Sequence, residues 1–320
     1  MSWEKLLSAL GDRLSGNVPY IAMKADEPTG QQPMNLGDVE EHTEHYLTLQ
    51  TGERKTRGML GGILGGVGGG VALLLAAMFA VDKNWSAAST GLFFGIAFLI
   101  IPFLWEAFRS LPLPILFNRR TREVYFEQNG VLYHCPWDDI AAVAYQFQLV
   151  GPYTGAMRSA ALEVLMHQFK RPEHQVLVSL GLPMGKDLEL QAAFWEYLRA
   201  YMNNGPWFDE HGAHSASDTF VKEQLSIKFE LSKTFGEHWR DLKKRYHESN
   251  GRNYLQFSDV FLLIGGVFDY PVGLIGEYTY KFASRRSQNN WPQVVRERLD
   301  PNGPTERLID AERNCGSLEL

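Results

Sequence analysis

Two pairs of histidines occur in acidic stretches of the chain, and metal binding is the chemistry that they could support. His42 and His45 lie at the end of the acidic segment 26–44, and His211 and His214 follow two carboxylates. Imidazole and carboxylate groups are common zinc ligands, but structural zinc sites usually have four ligands at patterned spacings. Neither pair has a cysteine or a further patterned ligand beside it. We therefore predict solvated segments here, and neither a metal nor a cofactor.

The two cysteines give no indication of a reactive thiol. Cys135 follows His134, but adjacent residues of a strand point to opposite faces of a sheet, which disfavours a thiol–imidazole pair. Cys135 and Cys315 could pair in principle. Two thiols in a chain of 320 residues are instead typical of a protein in a reducing compartment.

Sequence motifs of the common enzyme classes are absent. The chain contains no G-x-S-x-G, H-E-x-x-H, C-x-x-C or phosphate-binding loop. The glycine-rich run 65–70 resembles a nucleotide loop only superficially, since it lies inside a long apolar segment. The net charge of −6 gives no general case for nucleic-acid binding. We predict a protein that is not an enzyme, with no catalytic residues and no nucleic-acid or small-molecule substrate.

The apolar residues that must position the rest of the chain are concentrated between residues 58 and 110. Gly58 to Val81 and Thr90 to Trp105 contain no charged residue. A helix rises about 1.5 Å per residue, so the first segment is long enough to cross a hydrocarbon core of about 30 Å. The connection between the segments is too short for a domain. We therefore predict a transmembrane hairpin of two antiparallel helices.

The basic residues around this hairpin predict its orientation. Arg54, Lys55 and Arg57 precede the first span and several arginines follow the second, whereas the connecting loop contains Lys83 alone. Cytoplasmic segments beside membrane spans are enriched in Lys and Arg. We predict a bacterial inner-membrane protein with both termini and most of the chain in the cytoplasm. The first residues lack the pattern of a signal peptide, so no cleaved leader is expected.

Glycines recur at four-residue spacing along the first span. Small residues at this spacing allow helix backbones to approach closely. Close packing is important in lipid because burial of apolar side chains contributes little to helix association there. One stripe is Gly58, Gly62, Gly66 and Gly70, a second is Gly61, Gly65 and Gly69, and the second span offers Gly91 and Gly95. We favour packing of the two spans against each other. A homo-oligomer formed through a glycine face, and a buried hairpin in a soluble protein, are the alternatives.

The pattern changes to short alternating segments after the hairpin. Asn129-Gly130 favours a tight hairpin turn, because both residues tolerate positive φ. Further strands are predicted at 161–168 and 175–180, and a helix at 187–202. Antiparallel strands closed by one C-terminal helix are the layout of a pleckstrin-homology-like barrel. Residues 111–204 resemble the bacterial versions that follow paired membrane spans, in which a W-x-D-I or W-D-x-I turn precedes a strand. In this chain the turn is Trp137-Asp138-Asp139-Ile140.

A basic cluster near the first of these strands has two interpretations. Arg119, Arg120 and Arg122 would suit a lipid headgroup, but basic residues are also expected immediately after a membrane span. We favour the juxtamembrane anchor.

The flanking segments complete the predicted α+β membrane protein. In the N-terminal cytoplasmic segment 1–57, residues 2–14 have one apolar helical face that would lie on lipid or on the protein body. Residues 205–299 are predicted to be a helical region. Its apolar part, Phe257 to Tyr280, is expected at the membrane interface because internal acidic residues make spanning costly. Residues 300–320 are predicted to be a loosely held polar tail.

Four stretches of the chain carry a resemblance to a known family. They are Tyr46–Leu49 leading to Arg57-Gly58, Pro114–Phe126, Pro136–Ile140 and a late apolar segment before Trp291-Pro292. Together they resemble two-span bacterial membrane proteins of unknown function that are encoded in type VI secretion effector–immunity clusters. The most specific element is the run Phe-Asn-Arg-x-Thr-Arg-x-Val-Tyr-Phe. The residues after Trp291 are less acidic than the family pattern.

This resemblance implies an immunity protein that binds a cognate toxic effector and neutralises it from the cytoplasmic side. Such inhibition needs a large complementary interface and no chemistry of its own. The carboxylates of residues 26–44 would suit a basic toxin such as a nuclease. An effector chaperone or adaptor for type VI secretion, and a lipid-sensing membrane scaffold, are the alternatives.

Overall fold

The computed structural model describes residues 6, 8–11, 18–50, 60–109, 111–151, 155–183, 185–226, 235–252, 259, 274–276, 278–283, 285–286 and 291–316. The chain divides into two units. The first contains Met1–Gly52, Pro112–Phe229 and Asn290–Leu320, and the second contains Glu53–Leu111 and Glu230–Asn289. A sheet dominates the first unit, and two apolar helices dominate the second.

The described residues of the first unit include a curled antiparallel sheet of nine strands, which forms a half-barrel. The strands are β1 (Tyr20–Lys24), β2 (Val39–His42), β3 (Tyr46–Leu49), β4 (Ile115–Asn118), β5 (Glu123–Gln128), β6 (Val131–Pro136), β7 (Ala141–Gly151), β8 (Gly155–Gln168) and β9 (Arg171–Ser179). Their order is β1-β7-β8-β6-β5-β4-β3-β2, and β9 pairs with β8. The long strand β8 pairs first with β7 and then with β6 along its length, so the sheet bends around it.

The sheet extends well beyond residues 111–204. β1 pairs with β7, and β3 pairs with β4 although the helical hairpin separates them in the chain. Treating residues 1–57 as a separate segment missed these pairings, because the partner of a short strand is set by distant segments rather than by its own alternation. The strand predicted at Tyr46–Leu49 is confirmed.

The turn between β5 and β6 follows the prediction from its two residues. Asn129 has a φ of 55° and Gly130 a φ of 81°. Positive φ at both central positions is what a type I′ turn requires, and this turn matches the right-handed twist of the strands that it joins. Gln128 and Val131 are paired on either side of it.

Helix α3 (Leu188–Asn204) provides several of the largest side chains of the main core. Asp187 begins the helix by accepting a hydrogen bond from the backbone N–H of Leu190 at 2.8 Å. The buried face includes Phe194, Trp195, Tyr197, Leu198 and Tyr201. Trp195 packs against Trp137 of a 3₁₀ turn before β7, with ring centroids 5.2 Å apart. The helix predicted at 187–202 is therefore present and covers the core side of the half-barrel.

The N-terminal residues pack on the protein body, one of the two placements that their apolar face allows. Leu6 and Leu10 are buried against Val143 of β7 and Leu165 of β8. Alternate residues of these strands face α3, so the sheet is covered on both faces here. Trp3, which belongs to the same predicted face, lies outside the described residues.

Two long apolar helices dominate the second unit. They are α1 (Gly61–Val81) and α2 (Trp85–Phe108), each with a mean hydropathy of 2.1. The first part of α1, Gly61–Gly69, is π-helical. Asn84 begins α2 by accepting a hydrogen bond from the backbone N–H of Ala87 at 3.3 Å. By length and composition, both helices are able to cross a membrane.

The described part of the C-terminal third contains helices, but residues 205–218 form a loop with a bridge between Phe208 and His214. The helices are α4 (Thr219–Ser226), α5 (Phe235–Glu248), α6 (Gln293–Leu299) and α7 (Leu308–Gly316). Most of the predicted interfacial segment Phe257–Tyr280 lies outside the described residues. Asp259 within it is buried and forms an ion pair with Arg245 of α5 at 2.8 Å.

The prediction of a loosely held tail is wrong for residues 308–316. Leu308 is buried with Leu116 of β4 and Tyr125 of β5, and it begins α7. The composition of residues 300–320 is polar, but one buried leucine and the backbone groups at the start of α7 are enough to fix the helix on the sheet.

Candidate functional site

A buried cluster of histidine and glutamate side chains lies where β6, β8 and α7 meet. His134 of β6 is directly opposite His167 of β8, and their rings are 4.2 Å apart between centroids. Glu312 of α7 approaches both rings: its Oε2 lies 3.3 Å from Nε2 of His134 and 3.6 Å from Nε2 of His167. His134 is fully buried, and His167 is nearly so.

Glu123 of β5 completes this cluster from the opposite side of His134. Its Oε1 lies 3.5 Å from Nδ1 of His134. The same carboxylate accepts hydrogen bonds from the backbone N–H groups of Leu308 at 2.8 Å and Ile309 at 3.1 Å, and from the hydroxyl of Tyr125 at 2.7 Å. A carboxylate at a helix N-terminus satisfies free N–H groups and interacts favourably with the helix dipole. Glu123 therefore joins the first turn of α7 to His134.

The carboxylates control the protonation of the two rings. Burial alone would lower the pKa of His134, but Glu123 and Glu312 on either side outweigh it and raise this pKa above its ordinary value. Burial lowers the pKa of His167 to about 4, and repulsion from His134 adds to the effect. The pKa of Glu312 is lowered despite burial, because His134 and the backbone N–H of Lys170 stabilise its charged form.

This donor set could hold either a proton or a cation. One nitrogen from each histidine and one oxygen of Glu312 lie within 4.8 Å of one another, as the ligands of a divalent ion would. Neither ring nitrogen of His134 has a hydrogen bond of ordinary geometry to any described residue. A buried imidazole is costly unless its nitrogens are partnered, and here the carboxylates of Glu123 and Glu312 lie within 3.5 Å of them. These carboxylates could stabilise a proton on His134, and Glu312 could instead share a cation with the two rings.

Sequence reasoning considered His134 only as a neighbour of Cys135. Cys135 faces the main core as a buried free thiol, whereas His134 lies on the opposite face of β6. The alternation of β6 could have predicted the burial of His134. Side chains two residues apart in a strand lie on the same face, and Leu132 on that face is buried. Nothing local connects it to positions 167 and 312.

The histidine pairs singled out from the sequence lie elsewhere. His42 is packed among aromatic rings, with Nε2 2.7 Å from the carbonyl oxygen of Pro206 and Nδ1 3.0 Å from the hydroxyl of Tyr197. His211 is exposed beside Glu210, and Nδ1 of His214 lies 2.9 Å from the carbonyl oxygen of Asn204. Both nitrogens of His42 are thus occupied by hydrogen bonds within the first unit.

The second glycine stripe lies against α2. A Cβ built on Gly65 would be 3.1 Å from the carbonyl oxygen of Phe98, and one on Gly69 would be 3.0 Å from that of Gly95. On α2, a Cβ on Gly91 would be 3.1 Å from the Cβ of Ala76. These distances are shorter than ordinary Cβ contacts, so a side chain at these positions would require the facing helix to shift.

The first stripe has a different environment. Gly62 is buried, and Gly66 and Gly70 are half-buried. A Cβ built on Gly70 would meet no atom of the described residues within 4 Å. Gly58 lies outside the described residues. The two stripes therefore differ in how closely they are packed within this chain.

An acidic residue at the end of α2 supports the start of α1. The carboxylate of Glu106 is buried and accepts hydrogen bonds from the backbone N–H groups of Leu60 at 3.2 Å and Gly61 at 2.7 Å. Gly61 also lies close enough to this carboxylate that an added Cβ would be 2.9 Å from its Oε2. A carboxylate from one helix thus caps the other helix of the pair.

The three arginines of the predicted basic cluster make hydrogen bonds within the first unit. Arg119 donates to the carbonyl oxygen of Glu44 at 3.0 Å, and Arg120 donates to that of Gly303 at 2.9 Å. Arg122 contacts Asp138, Met202 and Asn203. These guanidinium groups hold loops and the C-terminal segment onto the half-barrel.

Comparisons with known proteins give no match for this chain among protein-family models, curated proteins or solved structures.

The glycine stripes yield a prediction with a matched control one residue away. Gly69→Leu should push α1 from α2 and destabilise the protein by about 1–3 kcal/mol, as overpacking does. Gly70→Leu should be tolerated, because a Cβ there meets no described atom within 4 Å. Thermal unfolding and light scattering of the detergent-solubilised chain would measure stability and oligomeric state. Loss of an oligomer in Gly70→Leu would instead show that the first stripe binds a second copy.

The environment of His42 predicts a loss of stability in mild acid. Burial lowers its pKa from 6.5 to about 4, so the unfolded chain binds a proton at His42 before the folded chain does. The contribution of neutral His42 to the free energy of unfolding is fully present above pH 6.5. It is lost as the pH falls towards 4, by up to about 3 kcal/mol. His42→Gln should therefore lower the melting temperature at pH 7.5 and reduce its fall between pH 6.5 and 4.5. His211→Gln, with an exposed ring, should retain the wild-type curve.

Proposed function

We propose that α1 and α2 cross the bacterial inner membrane and anchor the half-barrel unit as a binding protein. The observation that carries this proposal is the exposure of large apolar side chains along both helices. At least 65% of the surface is exposed at Leu74, Met78, Val81, Trp85, Phe93, Ile101 and Trp105. Leaving one such side chain in water rather than buried costs about 1.5–3 kcal/mol. Lipid removes this cost for all of them at once, whereas a soluble core hairpin would have them buried.

The pairing of β3 with β4 supports an even number of membrane crossings between these two strands. Leu49 at the end of β3 pairs with Ile115 at the start of β4. The chain therefore leaves the half-barrel and returns to it at neighbouring positions, on either side of residues 50–114. Two crossings return the chain to the side of the membrane from which it started. The basic residues on both sides of the hairpin favour the same arrangement, with both termini in the cytoplasm.

The half-barrel supports a pleckstrin-homology-like assignment as a further part of the proposal. A curled antiparallel sheet closed by one helix, α3, matches the expected layout, and β1–β3 add strands from before the hairpin. Such a fold does not by itself give a function. Because Arg119, Arg120 and Arg122 already bond to the protein, a lipid-sensing scaffold is less well supported than a protein-binding module.

Neutralisation of a toxic effector is the binding role that we propose. The support is the resemblance of residues 46–295 to membrane proteins of type VI secretion effector–immunity clusters. The attraction of a basic toxin would depend on fewer carboxylates than the sequence suggested, because Asp38 is buried in an ion pair with Lys186. Asp26, Glu27 and Glu44 are exposed, and Glu27 forms an ion pair with Lys24 at 2.6 Å.

Reporter fusions would test the membrane topology. A green fluorescent protein fused after Leu320 should fluoresce, because it folds in the cytoplasm, and alkaline phosphatase inserted after Lys83 should be active, because it requires the periplasm. The full chain should also remain in the membrane pellet after alkaline carbonate extraction. An active phosphatase at the C-terminus would show that the orientation is wrong, and release by carbonate would show that the helices do not span.

Co-expression with the product of the adjacent gene would test the immunity role. Cells poisoned by that product should recover growth when this chain is present, whereas a chaperone would raise the level and secretion of the product without blocking its toxicity. If the toxin is basic, Glu27→Lys should weaken protection because it reverses an exposed charge. Glu210→Lys is the matched control, since the two glutamates are 63% and 62% exposed. Protection that is absent with wild-type protein would exclude the role.

A further inference from the structure

We propose that His134, His167 and Glu312 bind a divalent transition-metal ion of the zinc class, which fastens α7 to the sheet. The three residues come from three different elements of the first unit and are brought together only by folding. The proposal is independent of the membrane anchor and of the effector, and it concerns a site inside the half-barrel unit.

Two of the three separations between the donor atoms are close to those of tetrahedral zinc, and all three donor atoms lie within 4.8 Å of one another. Ligands at about 2.0–2.1 Å from a tetrahedral ion are separated from each other by about 3.3–3.4 Å. The Oε2 of Glu312 lies 3.3 Å from Nε2 of His134 and 3.6 Å from Nε2 of His167. These separations exceed those of good hydrogen bonds and match two edges of the tetrahedron.

The burial of His134 is the second and independent observation. Its ring is fully buried, and neither of its nitrogens makes a hydrogen bond of ordinary geometry to a described residue. A metal ion on Nε2 would satisfy one nitrogen directly. The Nδ1–H would then point to Glu123, whose Oε1 is 3.5 Å away. Zinc-bound histidines usually donate their second N–H to a carboxylate in this way.

The donor set also indicates which metal would bind. Two imidazoles and one carboxylate favour zinc, cobalt(II) or nickel(II) over magnesium or calcium, which prefer oxygen ligands. Three protein ligands leave one position of a tetrahedron for solvent. Glu312 is the most accessible of the three, with 14% of its side chain exposed, so it provides the side from which an ion and a water molecule would enter.

The consequence of such an ion would be attachment of the C-terminal segment. α7 contributes Glu312 alone to the ligand set, and its N-terminal N–H groups bond to Glu123. An ion between Glu312 and the two histidines would thus hold the middle of α7 while Glu123 holds its start. Removal of the ion would leave α7 held by Glu123, by the hydrogen bond from the backbone N–H of Lys170 to Glu312, and by the packing of Leu308.

Metal content is the primary test. Full-length protein carrying a tag without histidines would be purified in detergent from zinc-supplemented cells and analysed by mass spectrometry, with expected content of about one zinc per chain. His134→Gln, His167→Gln and Glu312→Gln should each lose the ion. His174→Gln is the matched control, because this histidine lies beside a glutamate on the exposed part of β9 and should not alter the content. Wild-type protein that contains no stoichiometric zinc and takes up none in titration would overturn the proposal.

Cobalt substitution would locate the ion independently of any loss of folding. The wild-type protein loaded with cobalt(II) should show the intense visible absorption of a four-coordinate site, and Glu312→Gln should abolish it. Glu123→Gln should keep the site but weaken zinc binding about 10- to 100-fold, because it removes the carboxylate that orients His134. A cobalt spectrum that is unchanged in all ligand variants would place the ion elsewhere and contradict the assignment.

Limited proteolysis would test the attachment of α7. Zinc should protect the chain from tryptic cleavage after Arg307, which precedes α7, and a chelator should remove this protection. His174→Gln should respond as the wild type does. If chelation changes neither cleavage nor melting temperature, the cluster is held by a proton on His134 rather than by a metal, and the proposal fails.

Discussion

The packing of α3 into the curled sheet is the interaction on which the rest of the first unit depends. Its aromatic side chains fill the main core and also bond to the N-terminal segment, where the hydroxyl of Tyr197 lies 3.0 Å from Nδ1 of His42. The indole N–H of Trp195 donates to the carbonyl oxygen of Lys24 at 3.2 Å, and the hydroxyl of Tyr201 donates to that of Thr43 at 3.0 Å. These polar ends are satisfied while the rings stay buried. One helix therefore joins the strands that precede the hairpin to those that follow it.

Local chemistry accounts for the elements that the sequence alone could predict. The Asn129-Gly130 turn follows from the φ values that these two residues tolerate, α3 follows from its apolar period and the Asp187 cap, and the two long helices follow from their lack of charge. In each case the relevant information lies within a few adjacent residues. The pairings of β1 with β7 and of β3 with β4 depend instead on distant segments and have no local signature.

The buried polar groups were the hardest part of the molecule to predict. Glu106 is an apparently ordinary acidic residue at the end of a span, yet it caps the first turn of the other helix. Glu123 occurs in an alternating strand, yet its carboxylate holds the start of α7. Both roles exist only once two elements meet, because each carboxylate replaces water with backbone N–H groups of a different segment. The sequence position of an acidic side chain in a strand or at a helix end therefore does not determine whether it is buried, because burial depends on the segments that pack against it.

The position of the hairpin in the chain has a consequence for folding. β3 and β4 form a neighbouring antiparallel pair, but residues 50–114 separate them, and closing a flexible loop of that length has an entropic cost. A helical hairpin with its two ends together reduces the number of conformations available to this loop. If the hairpin inserts into lipid first, it presents β3 and β4 at one side of the membrane, already close to each other. The half-barrel then gains the pairing of β3 with β4 as a nearly local contact, which is the kind that forms fastest.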